Sequence, residues 1–128
     1  LSRRVTGADA LQRRAAVLDH ALQRWPESIA LLLERASVAR EGKQFAEAEF
    51  LLLRARAVDR GDARVLGDLG LTYLSWNRLW EAETTLLEAR GLAPSNVPVL
   101  QALAALYAHM AKWHSRKIAR GGRRQSRG

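Results

Sequence analysis

The chain contains no cysteine. Disulfides, thiolate zinc sites and thiol nucleophiles are therefore excluded, although a cysteine-free domain folds equally well on either side of a membrane. Its three prolines, Pro26, Pro94 and Pro98, all fall at the edges of periodic segments. Long hydrophobic runs are missing too. The longest, such as Ile29 to Leu33, are far short of the ~20 apolar residues that a membrane span needs. The start, LSRRVTGADA, has no apolar segment of the kind a secretory signal carries, and no initiator Met, so the chain is read as a processed product or, in preference, a piece of a longer protein. Acid is missing from residues 116–128, which hold Arg116, Lys117, Arg120, Arg123, Arg124 and Arg127 for a charge of +6, leaving only +2 on the remaining 115 residues. The overall +8 is thus a property of the tail.

Hydrophobic residues make up 48% of the 128-residue chain and charged residues 27%, which suits one compact, soluble domain. Nothing in the composition fixes the compartment; a cytoplasmic setting is slightly favoured.

One pattern occurs twice. Residues 29–62 and 63–96 each hold two helical stripes and a break, and they are offset by 34 residues. A period near ~34 with two helices per unit points to a helix–turn–helix solenoid, which builds an interaction surface rather than a catalytic pocket.

The expected organisation follows from caps and breakers. Residues 1–7 are expected to be a flexible N-terminus. Residues 8–28 are expected to hold a helix from about Ala8, with Thr6 or Asp9 as N-cap, the stripe Leu11, Ala15, Leu18, Leu22 and Trp25, and a stop at Pro26. Ser28 caps a helix over Ile29 to about Arg40, and Gly42 stops it. A helix carrying Phe45, Ala48, Leu52 and Ala55 follows, then a break at Gly61 and Asp62, with Gly61 as the stop and Asp62 as the N-cap of the next helix. The next hairpin runs from Ala63 to Ser75, turns near Asn77 and returns to about Gly91. After the Pro94–Asn96 loop, one long helix is expected from about Pro98 to Arg120, with a turn near Ala111 as the alternative. Residues 121–128 are expected to be a disordered basic tail.

These residues resemble the tetratricopeptide repeat (TPR) pattern W-x2-L-G-x2-Y, A-x3-F, P. In residues 63–96, Leu66 replaces the Trp, and Leu69, Gly70, Tyr73, Ala82, Leu86 for Phe, Ala89 and Pro94 follow in register. In residues 29–62, Leu32, Ala36, Phe45, Ala48, Leu52 and Ala55 fit, whereas Arg35, Ala39 and Arg60 replace Leu, Tyr and Pro. Residues 8–28 look like the second helix of a preceding repeat, with Ala21 and Pro26 in register and Arg14 in a small-residue place. Residues 97–110 look like the first helix of another repeat, with Leu100, Leu103, Ala104 and Tyr107. Beyond that, Arg116, Arg120 and Arg123 break the pattern, so the resemblance covers about residues 8–110. Pentatricopeptide repeats have a similar length and bind RNA, but Leu69-Gly70-x-x-Tyr73 with Ala82 favours TPR. The resemblance implies an all-α fold: a right-handed superhelical array of antiparallel helix pairs, about six helices with a long C-terminal one. Gly70 and Ala82 would allow a close crossing within a pair, and the open ends leave room for end-to-end self-association.

The resemblance also implies a concave groove lined by the first helix of each pair. Its residues would be Leu33, Glu34, Ser37 and Arg40, then Asp68, Leu71, Leu74 and Ser75, then Gln101, Ala105 and His109. Chaperone-binding TPR domains grip a peptide's terminal carboxylate with Lys, Asn and Arg at set places. Here those places hold Leu33, Ser37, Asp68, Pro98 and Ala102, which speaks against Hsp70 or Hsp90 tails as ligands. The groove leucines suit an apolar or amphipathic segment of another protein, or are covered by neighbouring repeats. Trp76 and Trp80 are a candidate surface hot spot, against the plainer alternative that they pack on the hairpin's rim. Leu79 and Trp113 align with a core column of the family, together with Phe45.

Chemistry is poorly provided for. His109 and His114 are five apart, off the i, i+4 spacing of a helical metal site, and Glu81 and Glu83 point to different sides of a helix. No phosphate loop or Ser-His-Asp set is present, so neither an enzyme nor a cofactor or metal site is expected. The basic tail offers salt-dependent attraction to nucleic acid or an anionic surface, but it lacks aromatics for stacking on bases. The sequence thus reads as a protein-interaction scaffold or adaptor. Tail-mediated nucleic-acid or anionic-surface binding is the alternative, and a regulatory or assembly domain of a larger enzyme is a third reading.

Overall fold

The computed structural model describes residues 6–125, with side chains through residue 119. Six helices make up the described chain: α1 (Gly7–Arg24), α2 (Ile29–Glu41), α3 (Phe45–Val58), α4 (Ala63–Ser75), α5 (Leu79–Leu92) and α6 (Val97–Gln125). Most of the residues expected to be a flexible N-terminus lie outside the described residues, but Gly7 already belongs to α1.

The 34-residue period is written in the backbone hydrogen bonds. Within the pairs, Gly42, Lys43 and Gln44 donate to the carbonyls of Val38, Arg40 and Ala39, at 3.0, 3.0 and 2.8 Å. Trp76, Asn77 and Arg78 donate to Thr72, Leu74 and Tyr73, at 2.9, 3.1 and 2.8 Å. Between pairs, Trp25, Asp59 and Ala93 close their helices on Ala21, Ala55 and Ala89. Ser28, Asp62 and Asn96 then each cap the following helix through a side-chain oxygen. Each cap satisfies an amide that the first helical turn leaves open. Asp62 also holds the Arg64 guanidinium at 2.7 Å, and this bond keeps its carboxyl below the usual range.

One detail of the turns differs from expectation. Gly42 has an ordinary φ of −81°, and the left-handed residue is the next one: Lys43 at 60°, matched by Asn77 at 61°. The turn needs its positive φ one place later, where Asn is tolerated and Lys bears a cost of about 1–2 kcal/mol.

Consecutive helices pack on one another, and α4 also touches both α2 and α6. The first helices of the pairs therefore form a row of α2, α4 and α6. Small and large residues alternate where the pairs close: Ala48, Leu52 and Ala55 of α3, and Ala82, Leu86 and Ala89 of α5, are all fully buried. Gly70 is the tightest point, since a Cβ there would overlap the Leu86 side chain.

Three expectations need correction, and one departure from the repeat pattern, Arg35, is explained. Leu18 and Leu22 of α1 are buried, but Trp25 is exposed, because it is the C-cap beyond the last turn. Arg35, in a Leu place, is buried, since Asp19 and Glu47 neutralise it from α1 and α3. Trp113 is exposed despite its core-column alignment. Its column fills only if the chain turns back, and α6 runs straight on. Finally, α6 does not stop at Gly121 but continues to Gln125, contrary to the disorder expected from residue 121. Glycine costs about 1 kcal/mol in a helix and does not forbid it, and no proline follows. Residues 126–128 of that expected tail lie outside the described residues.

Candidate functional site

The row of α2, α4 and α6 brings the expected groove residues onto three adjacent helices. Leu33, Leu71 and Leu74 are half-buried and pack against the main core. Their methyl groups are the floor of the row rather than a free apolar patch. Ser37 and Arg40 are half-buried, while Glu34, Ser75, Gln101, Ala105 and His109 are exposed. The outermost layer is thus polar or small.

Polar contacts tie the helices together. Arg40 of α2 donates through Nη1 to the Asp68 carbonyl of α4 at 3.4 Å, and Thr72 Oγ1 donates to the same carbonyl at 2.9 Å. His109 Nε2 meets Asn77 Oδ1 at 3.1 Å, linking α6 to the turn after α4. A small cavity of about 120 Å³ opens beside Asp68, lined by Ala63, Arg64, Gly67, Leu71, Asn96 and Pro98. Burial pushes the Asp68 carboxyl up, against the opposing pull of Arg40 and Arg64. Among the places that the resemblance assigns to a carboxylate clamp, Ala102 is buried and Pro98 lies on the first turn of α6.

The two neighbouring tryptophans separate. Trp76 is the C-cap of α4 and half-buried, stacked on Phe45 with centroids 6.0 Å apart and covered by the Arg78 guanidinium at 3.6 Å. It packs on the rim of the hairpin. Trp80 is 74% exposed. Arg116 and Lys117 are exposed on α6, with Lys117 Nζ 5.0 Å from the Trp113 ring centroid. Arg120, Arg123 and Arg124 lie in the helical backbone of α6, and their side chains, like the whole of Arg127, fall outside the described residues.

Sequence reasoning missed two features. Arg35 donates to Asp19 at 2.8 Å and to Glu47 at 3.0 Å, and Tyr73 donates its hydroxyl to Glu49 at 2.6 Å. The Arg35 site was signalled by a cation in a core column, and acids on the flanking helices would have named its partners.

Solved structures with this arrangement identify its architecture. The first TPR of Spaghetti (RPAP3), bound to an HSP90 peptide SRMEEVD, superposes with a TM-score of 0.72 at 22% identity, covering 80% of this chain and 81% of that one. The Arabidopsis OM64 TPR domain gives 0.72 at 20% identity, covering 80% and 84%. A MamA RS-1 double mutant gives 0.69 at 24% identity, covering 93% and 70%. The chain has the tetratricopeptide-repeat fold. No family model and no curated protein matches its sequence. In this TPR fold, no described helix is long and apolar enough to cross a membrane, and the described residues hold no cluster of potential metal ligands.

Proposed function

We propose that this TPR-fold chain is a protein-interaction module that takes a segment of a partner protein along α2, α4 and α6, without catalysis of its own. The observation that carries the reading is the side-by-side row of these helices, with half-buried Leu33, Leu71 and Leu74 beneath exposed Glu34, Gln101, Ala105 and His109. Apolar methyls below a polar rim suit an amphipathic or extended segment. The neighbour bound to an HSP90 peptide supports peptide recognition on this architecture. Asp68 and the neutral residues Leu33, Ser37, Pro98 and Ala102 offer a peptide's terminal carboxylate no cation, so a partner segment of other chemistry is expected.

Affinity capture from source-cell extract at moderate salt tests the reading. The intact chain is compared with Glu34→Lys/Ala105→Glu, which changes exposed groove positions and spares the half-buried leucines. A protein held by the intact chain and lost by the variant supports groove binding. Capture indifferent to the variant contradicts it.

A second reading has its own observation: α6 carries no acid from Val97 to Gln125, and exposes Lys112, Arg116 and Lys117. Binding of nucleic acid or an anionic surface through this helix would weaken steeply with salt and vanish on truncation at Ser115.

A further inference from the structure

Two of the three exposed tryptophans, Trp80 and Trp113, lie outside the groove, where α6 runs past the turn between α4 and α5. A cavity of about 650 Å³ opens there, lined by Leu79, Trp80, Tyr107, Met110, Trp113 and His114 among others. Trp80 is 74% exposed and Trp113 57%. Toward the start of α6 the apolar stripe continues through Ala104 to Leu100.

The 34-residue period says what this face is built for. Leu100, Ala104 and Tyr107 correspond to Leu66, Gly70 and Tyr73 of α4. Those three are buried, and Gly70 lies directly under Leu86 of α5. On α6 the same face is exposed, and no described element covers it. A helix fits it, laid as α5 is laid on α4, with small, large and small residues at i, i+4 and i+7 like Ala82, Leu86 and Ala89.

Charge selects the occupant. The α6 helix has no acid, and Lys117, whose Nζ lies 5.0 Å from the Trp113 ring centroid, is exposed at the edge of the cavity, with His114 in its lining. Glu83 of α5 is the acid that faces Tyr107 across this end. Of the chain's own helices, α1 is the one with the register of a second helix and a free outer side. It presents Arg14 where Ala82 stands, with Arg13 beside it. A second copy would therefore bring the bulk of Arg14, paired with its own Glu41 at 3.5 Å, to the tightest point.

We infer that the α5–α6 end cleft docks an amphipathic helix of another protein with acidic flanks, seated as a seventh helix against Leu100, Ala104, Tyr107, Trp113 and Trp80. This surface is distinct from the groove and does not depend on it.

The test is selection from a displayed library of helices of about 18 residues, long enough for the four turns between Leu100 and Trp113. Ala, Leu and Ala are fixed at i, i+4 and i+7, and the flanks are randomised over Glu, Lys, Gln and Ala. The bait is the full chain at physiological salt. Binders should be enriched in Glu at the flanks. A selected peptide should lose at least tenfold in affinity for Ala104→Trp and for Trp113→Glu, and keep it for Glu34→Lys/Ala105→Glu. These positions are exposed, and circular dichroism confirms that each variant is folded. Neutral or basic flanks, no enrichment over a proline-interrupted library, or binding indifferent to both end-cleft variants would overturn the inference. So would sedimentation showing a dimer of the chain alone that Ala104→Trp dissociates, which would give the face to a second copy.

Discussion

Arg35 and Leu69 hold the same place in successive helix pairs, one as a buried cation and the other as buried hydrocarbon. Arg35 is 7% exposed and is neutralised by Asp19 at 2.8 Å and Glu47 at 3.0 Å, both of which keep substantial contact with water. Removing the guanidinium leaves a cavity, while the two acids can rehydrate. Arg35→Ala should therefore cost about 2–4 kcal/mol, and Arg35→Leu, which restores the apolar volume used at Leu69, should lie within about 1 kcal/mol of the parent. Urea unfolding of the three proteins checks both values.

Two glycines of α4 predict opposite outcomes from one substitution. At Gly70 a Cβ would overlap Leu86, so Gly70→Ala should destabilise by about 1–3 kcal/mol despite its better helix propensity. At Gly67 the nearest atom is the Val99 Cγ2 methyl at 3.2 Å, which can yield slightly, so the gain of about 1 kcal/mol in propensity should roughly offset the contact. Thermal unfolding of both variants separates them.

The Asp68 carboxyl makes stability fall as pH rises. Burial raises its pKa in the folded chain above the unfolded value of 3.8, so the folded state holds its proton more tightly. Its favourable contribution is complete below that unfolded value and is lost as pH rises through the folded pKa. Asp68→Asn should therefore be more stable than the parent at neutral pH, with the difference closing below about pH 4. Unfolding curves at a series of pH values test the sign, and carboxyl NMR titration of Asp68 tests its origin.

Tyr73 predicts an alkaline limit. Burial, then its hydrogen bond to Glu49, pushes its hydroxyl from 10.0 up to about 12. The associated stability is complete below pH 10 and is lost as pH rises through about 12. Tyr73→Phe should cost about 1 kcal/mol at neutral pH, and the deficit should shrink above pH 10. Spectrophotometric titration of the phenolate and denaturation at high pH check the two halves.

Local chemistry made most of the fold legible. Ser28 and Asp62 cap the helices that the sequence assigns them, and Gly70 with Ala82 marks the close crossing, because each is a short-range requirement of one residue type. The straight run of α6 was legible too, since nothing between Ala111 and Arg120 breaks a helix. Its continuation through Gly121 was not: a glycine stop depends on what the chain does next, and here no proline or competing contact ends the helix. The exposure of Trp113 was hidden for a related reason. Alignment to a core column presumes a returning helix to fill it. In the groove, the resemblance put Leu33 on α2 and Leu71 and Leu74 on α4, but their half-burial depends on how closely neighbouring pairs approach. Trp76 and Trp80 looked alike in sequence, and only the geometry of Phe45 and Arg78 separates them.

Isotope-labelled chain titrated with the partner segment obtained by capture, and followed by amide chemical shifts, tests the interaction claim most directly. The account predicts that shifts concentrate along α2, α4 and α6 at Glu34, Ser37, Asp68, Leu71, Gln101 and Ala105, and that Glu34→Lys/Ala105→Glu abolishes them. Shifts confined to Arg116 and Lys117, or to Trp80 and Trp113 with the groove silent, would contradict it.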